Sequence, residues 1–193
     1  MDMKLISVFC GSSTGKNPIY TEATKALAEQ FIKNDFMLLY GGAKIGLMGI
    51  MADNILRAGG KATGVMPRFL IDKEIAHTEL TQLICVDSMQ ERKTWMQTHS
   101  DAFIALPGGF GTLDEIFEMI CFGQLQIHQK PCAFLNTNGF YDHLHRFLDH
   151  CVNEGFIQKE YKNMLIIESD AEKLIRQILR YKHPIIDKAK REM

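Results

Sequence analysis

Three glycine-rich segments each follow directly on a short apolar run and lead into a stretch with apolar residues at helical spacing: Cys10-Gly11-Ser12-Ser13, Tyr40-Gly41-Gly42-Ala43-Lys44-Ile45-Gly46 and Pro107-Gly108-Gly109-Phe110-Gly111-Thr112. Short β-rich runs alternating with helical periods are the pattern of an α/β fold built on a parallel sheet. The runs predict about seven strands, at 5–10, 36–40, 61–66, 82–86, 102–106, 132–135 and 164–167. Most are apolar at successive positions, as strands covered on both faces are. Helical spacing predicts helices at 18–34, 47–58, 89–99, 112–127, 141–154 and 171–181. Asn17-Pro18 and Ser169-Asp170 read as helix starts, and Gly59-Gly60 and Gly155 as stops. The charged stretch 187–193 reads as a frayed end.

In an open parallel sheet the three glycine segments gather at the carboxyl edge, where such folds bind ligands. Glycine lets backbone amides approach a ligand closely, and the following helix start offers unpaired N–H groups with a partial positive charge. Ser12, Ser13 and Thr112 add hydroxyl donors and Lys44 adds a charge. A single glycine cluster would fit any tight turn. Three at the same level of the fold point to a phosphate. Neither the dinucleotide nor the Walker glycine pattern occurs in the required context, so a mononucleotide or sugar phosphate is expected.

Length and charge narrow the field further. A chain of 193 residues, 46% hydrophobic and 23% charged, supplies one substantial core, so residues 1–193 are expected to form a single domain. The formal charge of -1, from 22 basic and 23 acidic residues, provides no global attraction to a nucleic acid polymer or an anionic membrane. Five scattered cysteines, Cys10, Cys85, Cys121, Cys132 and Cys151, form no C-x-x-C pair and read as free thiols, mostly buried, in a reducing compartment. No signal-peptide organisation precedes the first strand, and no apolar run approaches spanning length. A cytoplasmic location is expected.

Two charged groups stand out, each with two open readings. Thr112-Leu113-Asp114-Glu115 has the spacing of a capping box, in which Glu115 would satisfy a backbone amide, and it equally places a carboxylate at the head of a helix beside a phosphate loop. Ser88 and Glu91 form a second such box, which would make Glu91, Arg92 and Lys93 a solvated first turn; alternatively, Arg92 offers a planar charged fork for a phosphate or a departing base. Asp114 and Glu118 are at most supporting carboxylates. His143, His145 and His150, with Asp149 and Cys151 nearby, have no recognised ligand spacing and read as helix surface, so no metal is expected. Leu47, Met48, Ile50 and Met51 read as a helix packed on the sheet, and Trp95 with Met96 as core or dimer contact.

The motif Pro107-Gly108-Gly109-x-Gly111-Thr112-x-x-Glu115 resembles the signature of the Lonely Guy family, once labelled lysine decarboxylases. Further segments are similar to family segments in the same order: Cys10-Gly11-Ser12-Ser13, Tyr40-Gly41-Gly42 with Gly46-Leu47-Met48-Gly49, Gly64-Val65-Met66-Pro67, Met89-x-Glu91-Arg92-Lys93-x-x-Met96, Ile127-His128-x-Lys130-Pro131, and Gly139-Phe140-Tyr141-Asp142 with Gly155-Phe156-Ile157. The resemblance implies a Rossmann-like fold, a homodimer, and hydrolysis of a nucleoside 5′-monophosphate, a cytokinin ribotide or AMP, to free base and ribose 5-phosphate. It implies Arg92 and Glu115 as the catalytic pair. The expected substrate-binding set is Gly11, Ser12, Ser13, Gly41, Gly42, Met89, Lys93, Gly108, Gly109, Gly111 and Thr112. The sequence departs from the usual pattern at Ala43, Gln90 and Phe122, which bears mainly on base preference, and Ala43 would matter most if that position required a positive φ.

The competing expectation is a non-catalytic Rossmann-like protein that holds a nucleotide or molybdenum cofactor on the same loops. Amino-acid decarboxylation would need a pyridoxal-phosphate lysine in a credible setting, and no such motif is present. No cofactor is expected.

Overall fold

The structure is a computed structural model that describes residues 4–71 and 76–184. Seven strands form one sheet: β1 (Leu5–Phe9), β2 (Met37–Tyr40), β3 (Ala62–Pro67), β4 (Gln82–Val86), β5 (Ala102–Ala105), β6 (Cys132–Leu135) and β7 (Leu165–Glu168). Their spatial order is β4-β3-β2-β1-β5-β6-β7, and every neighbouring pair is parallel. The expected strands are all present, with bounds shifted by a residue or two. The helices are α1 (Ile19–Lys33), α2 (Gly46–Arg57), α3 (Arg68–Ile71), α4 (Met89–His99), α5 (Phe110–Gln124), α6 (Asp142–Asn153), α7 (Lys159–Lys162) and α8 (Ala171–Arg180), with a 3-10 turn at Thr137–Gly139.

Side-chain alternation along each strand divides the core between two faces. Ile6, Val8, Leu38 and Ile104 pack with Leu27 and Phe31 of α1, Leu47 and Met51 of α2, and Leu174 and Ile178 of α8. Phe9, Leu39, Phe103 and Phe134 point the other way, onto Met96 of α4 and Ile116 and Met119 of α5. The helices carrying Arg92 and Glu115 therefore lie on the same side of the sheet.

Helix ends follow local chemistry. Asp170 caps α8 by accepting from the Lys173 amide at 2.8 Å, and Asn17 accepts from the Ile19 amide at 3.0 Å. Gly59 and Gly155, just past α2 and α6, adopt φ of 80° and 79°, the left-handed conformation that suits glycine at a helix stop. The stretch 187–193, expected to fray, lies outside the described residues.

The cysteines are all free, but only Cys10 and Cys132 are buried. Cys151 is half-buried, and Cys85 and Cys121 are exposed, against the expectation from their apolar surroundings. Cys85 sits on β4, an edge strand, so one of its flanks has no neighbouring strand to cover it.

From β1 the strand order grows through β2 and β3 to β4 in one direction, and from β5 through β6 to β7 in the other. The loops leaving β1 and β5 therefore diverge and open a crevice at their carboxyl ends, the usual ligand position in open α/β sheets.

Candidate active site

Backbone hydrogen bonds stitch the loops at this crevice together. The Gly11 amide donates to the Pro107 carbonyl at 3.1 Å, the Leu106 amide to Phe9 at 2.9 Å, and the Leu47 amide to Gly11 at 3.1 Å. The Tyr141 hydroxyl donates to the Leu106 carbonyl at 2.6 Å and anchors the loop from below. Gly108 is needed for this closeness: a Cβ there would lie 2.1 Å from Thr112 Oγ1 and 2.9 Å from the Gly11 nitrogen.

Helix α5 starts two residues before the expected position, with Gly109 as its N-cap and no side-chain cap. Thr112 is thus inside the helix, and the capping-box reading of Thr112 and Glu115 does not hold. The Leu113 amide already bonds the Gly109 carbonyl at 3.1 Å. The amides of Phe110, Gly111 and Thr112 precede the first intrahelical acceptor and remain to serve a ligand. The first turn of α5 has no acidic residue, and nothing lies within 4 Å of where a Cβ on Gly109 or Gly111 would stand. An open, positively polarised helix start results.

Freed from capping, Glu115 turns inward. It is 7% exposed, and its Oε1 accepts from Arg92 Nη2 at 2.7 Å. Arg92 is equally buried, and its Nε–H has no partner among the described residues. The first turn of α4 explains its direction. Ser88 Oγ accepts from the Glu91 amide at 3.1 Å, and Glu91 Oε2 accepts from the Asp87 amide at 2.8 Å. This second capping box is real, apart from its return bond going to Asp87. It uses Glu91 at the surface and sets the helical phase so that the next residue, Arg92, points under the loops. Arg92 is therefore no part of a solvated patch.

Burial pushes the Glu115 carboxyl above the ordinary glutamate range, while the neighbouring guanidinium pulls in the opposite direction. Cys10, at the floor of the cleft, has its thiol pushed up by burial and by the nearby Glu115 charge. It stays protonated and is a poor nucleophile.

The cleft between these groups holds about 270 Å³. Arg92, Glu115, Thr112 and Ser12 are its polar side chains, and Met48, Leu70, Met89 and Phe110 form an apolar wall. An adjoining chamber of about 340 Å³ shares Gly11, Ser12 and Gly109 with it and adds Ser13 and Gly108. Together they approach the several hundred Å³ usual for a small-molecule site.

Of the residues expected at the site, Gly11, Ser12, Gly41, Met89, Arg92, Gly109, Gly111, Thr112 and Glu115 line the cleft. Ser13 and Gly108 line only the chamber. Gly42 lines neither and instead forms the turn with φ of 87°, so that Ala43 needs no positive φ. Lys93 lies outside the lining, and its ammonium bonds Asp114 at 3.2 Å and also Glu118. Sequence reasoning missed Met48, Leu70 and Phe110. Met48 has the helical spacing of a core residue, and Phe110, 94% exposed, had only its place among the loop glycines as a signal. Trp95 is half-buried against the core and stacks on His99 with ring centroids 3.9 Å apart. Among the described residues no group of three or more His, Cys, Asp or Glu side chains is placed to hold a metal ion. Nor is any described helix long and apolar enough to cross a membrane.

Comparison with known proteins agrees with this architecture. The chain is similar at 22% identity and a TM-score of 0.69 to the molybdenum cofactor binding protein of Rippkaea orientalis, covering 93% of this chain and 98% of that one. The molybdenum cofactor carrier protein of Chlamydomonas reinhardtii gives the same TM-score at 18% identity, covering 93% and 99%. At these identities the likeness concerns the Rossmann-like fold.

Sequence similarity reaches further. Cytokinin riboside 5′-monophosphate phosphoribohydrolase LOG5 of Arabidopsis thaliana is 43% identical over 184 residues, 95% of this chain and 80% of that protein. Cytokinin riboside 5′-monophosphate phosphoribohydrolase LOG7 of the same plant is 41% identical over 178 residues, 92% and 82% of the two chains. The family model described as "Possible lysine decarboxylase" matches residues 48–178, a span that takes in both Arg92 and Glu115. By that match, and by relatives alike over more than nine-tenths of this chain, the chain belongs to the Lonely Guy family.

Proposed function

We propose that this chain hydrolyses the N-glycosidic bond of a nucleoside 5′-monophosphate, a cytokinin ribotide or AMP, releasing free base and ribose 5-phosphate. The observation that carries this reading is the buried Arg92–Glu115 pair, 2.7 Å apart, about one helical turn from the free amides that open α5. The phosphate sits on the amides of Phe110, Gly111 and Thr112. The pentose then follows along the helix to Glu115.

Breaking the bond from C1′ to the base nitrogen leaves its electron pair on the base and positive character on the sugar. Water supplies the new C1′–O bond, and its proton balances the departing base. As a carboxylate, Glu115 stabilises the sugar cation, orients its hydroxyls or accepts the proton of that water. Arg92 holds Glu115 by one guanidinium nitrogen and keeps Nε–H free for the substrate. The apolar wall of Met48, Leu70, Met89 and Phe110 receives the base. None of these steps requires a metal or cofactor.

In support, LOG5 and LOG7 of Arabidopsis thaliana bear the name of this reaction on cytokinin riboside 5′-monophosphates. The family model's older description would call for a pyridoxal-type lysine, whereas Lys93 beside the site is engaged by two carboxylates. The homodimer belongs to the same proposal. Phe110, Phe147 and Phe156 are 94%, 59% and 86% exposed, and light scattering at micromolar concentration should give twice the chain mass. A cytoplasmic location accords with five free thiols.

The direct test incubates purified protein with AMP and isopentenyl-AMP and separates the products by chromatography. Free base and ribose 5-phosphate in equal amounts are expected. Nucleotide that binds but returns intact would replace this reading with a binding protein.

A further inference from the structure

Behind the Arg92–Glu115 pair stands a second ionic contact between the same two helices. Lys93 follows Arg92 on α4, Asp114 precedes Glu115 on α5, and Glu118 lies three residues beyond. Neighbours on a helix are rotated by about 100°, so when Arg92 and Glu115 face the cleft, Lys93 and Asp114 are turned to its flank. There Lys93 Nζ lies 3.2 Å and 3.4 Å from the two Asp114 carboxylate oxygens and also contacts Glu118. The Lys93 side chain is only 17% exposed and does not line the cleft.

We propose that Lys93 is a positioning residue: with Asp114 and Glu118 it forms an outer clasp between α4 and α5 that keeps Arg92 in register with Glu115 and balances the negative charge behind the reacting carboxylate. This rests on the reading of Glu115 as the ionised group that meets the sugar. It assigns Lys93 a role without substrate contact, in place of the substrate-binding one that its motif position implies.

Three carboxylates, Asp114, Glu115 and Glu118, lie within about one turn of α5. Lys93 and Arg92 are the two cations from α4 that meet them. The Lys93 ammonium is thus already engaged by two carboxylates on the flank of the cleft. Hydrogen bonding to Glu118, then to Asp114, holds that ammonium firmly protonated against the effect of its partial burial. The charged groups acting on Glu115 are Arg92 and Lys93 from α4 and Asp114 on its own helix; the Cys10 thiol just past β1 also faces it and is held neutral, pushed up by burial and by the Glu115 charge. Arg92 and Lys93 favour the carboxylate, whereas burial and Asp114 oppose it. Loss of the Lys93 charge leaves Asp114 uncompensated and raises the proton affinity of Glu115. Loss of the Asp114 charge lowers it.

The test uses the full chain and its Lys93→Gln, Lys93→Arg and Asp114→Asn variants, with two readouts. Carbon-13 NMR of labelled glutamate carboxyls, assigned by Glu115→Gln, follows the Glu115 titration without substrate. The pH profile of kcat/KM for AMP follows its effect on turnover. In Lys93→Gln the Glu115 midpoint should rise by about half a unit or more, and the acid limb of the profile should follow it. KM at the pH optimum should change by less than about threefold, and Lys93→Arg should restore both midpoint and limb. In Asp114→Asn the midpoint should fall. A midpoint unmoved in Lys93→Gln, or a KM raised tenfold or more with the midpoint unmoved, would overturn the clasp and return Lys93 to substrate binding. If Lys93→Gln fails to fold, Asp114→Asn decides, and an unmoved midpoint there is equally fatal. Should the wild-type protein cleave no nucleotide, the proposed hydrolysis falls, while the substrate-free titration still decides the clasp.

Discussion

Gly41 leaves room for Arg92: a Cβ added to Gly41 would stand 2.7 Å from Arg92 Nη2, and 3.2 Å from Met48 Sδ. The glycine at the end of β2 thus serves as the wall against which the guanidinium lies. Its φ is not positive, so alanine fits the backbone, and the side chain alone displaces Arg92. Gly41→Ala is expected to lower kcat/KM for AMP by about 10- to 100-fold, the usual consequence of a misplacement near 1 Å. Its urea unfolding free energy should stay within about 1 kcal/mol of wild type, because the guanidinium can move. Steady-state kinetics and urea titration on the same preparation check both halves.

Glu115→Gln keeps the size of the side chain and a hydrogen bond to Arg92 but removes the charge. It should fold, bind AMP within a few-fold of wild type by calorimetry, and lose about 10²- to 10⁴-fold in kcat. In the wild-type protein the carboxylate is the working form. Because burial raises its proton affinity, kcat should rise with pH through a midpoint above the ordinary glutamate value of about 4.3. That limb should disappear from the residual activity of the variant. Arg92→Met removes the group that favours the carboxylate, and should move any remaining limb to higher pH.

The extent to which the sequence reveals this site depends on the range of the forces involved. Strands such as 102–105 and 132–135 are legible because four successive buried residues leave an apolar run with no other use. The four-residue helices α3 and α7 are shorter than the helical period needs to show itself, so they were not expected. Thr112 to Glu115 has the spacing of a cap, yet Gly109 starts the helix first, and a tertiary partner 23 residues away claims the carboxylate. That partnership depends on the relative placement of α4 and α5, which no local pattern encodes. Family motifs pointed to Arg92 and Glu115, while their contact and the engagement of Lys93 by Asp114 and Glu118 become visible only in three dimensions.

Gly108 supports the phosphate loop rather than the chemistry. A methyl group there would fall 2.1 Å from Thr112 Oγ1 and press on the Gly11 nitrogen, forcing the β1 and β5 loops apart. Gly108→Ala should therefore raise KM for AMP about tenfold or more and lower stability by about 1–3 kcal/mol. Steady-state kinetics measures the first effect and thermal unfolding the second, and the increase in Tm on adding AMP should shrink.

His128 should give folding a pH dependence separate from catalysis. Burial, reinforced by the Lys130 charge, lowers its pKa to about 4, against about 6.5 in the unfolded chain. The unfolded state binds the proton more readily between these values, so stability contributed by the neutral imidazole is complete above about 6.5 and is lost as pH falls toward 4. Nδ1 accepts from the Lys130 amide at 3.1 Å, which requires that nitrogen unprotonated. Urea midpoints measured from pH 7 to 4 should decline in wild type and decline less in His128→Gln.

A crystal structure of Glu115→Gln soaked with AMP tests the assembled site most directly. The expected density shows the phosphate on the amides of Phe110, Gly111 and Thr112, the ribose against residue 115, and the Arg92 Nε–H within hydrogen-bonding distance of the nucleotide. A nucleotide bound with its ribose away from residue 115 and those three amides unengaged would contradict the proposed chemistry.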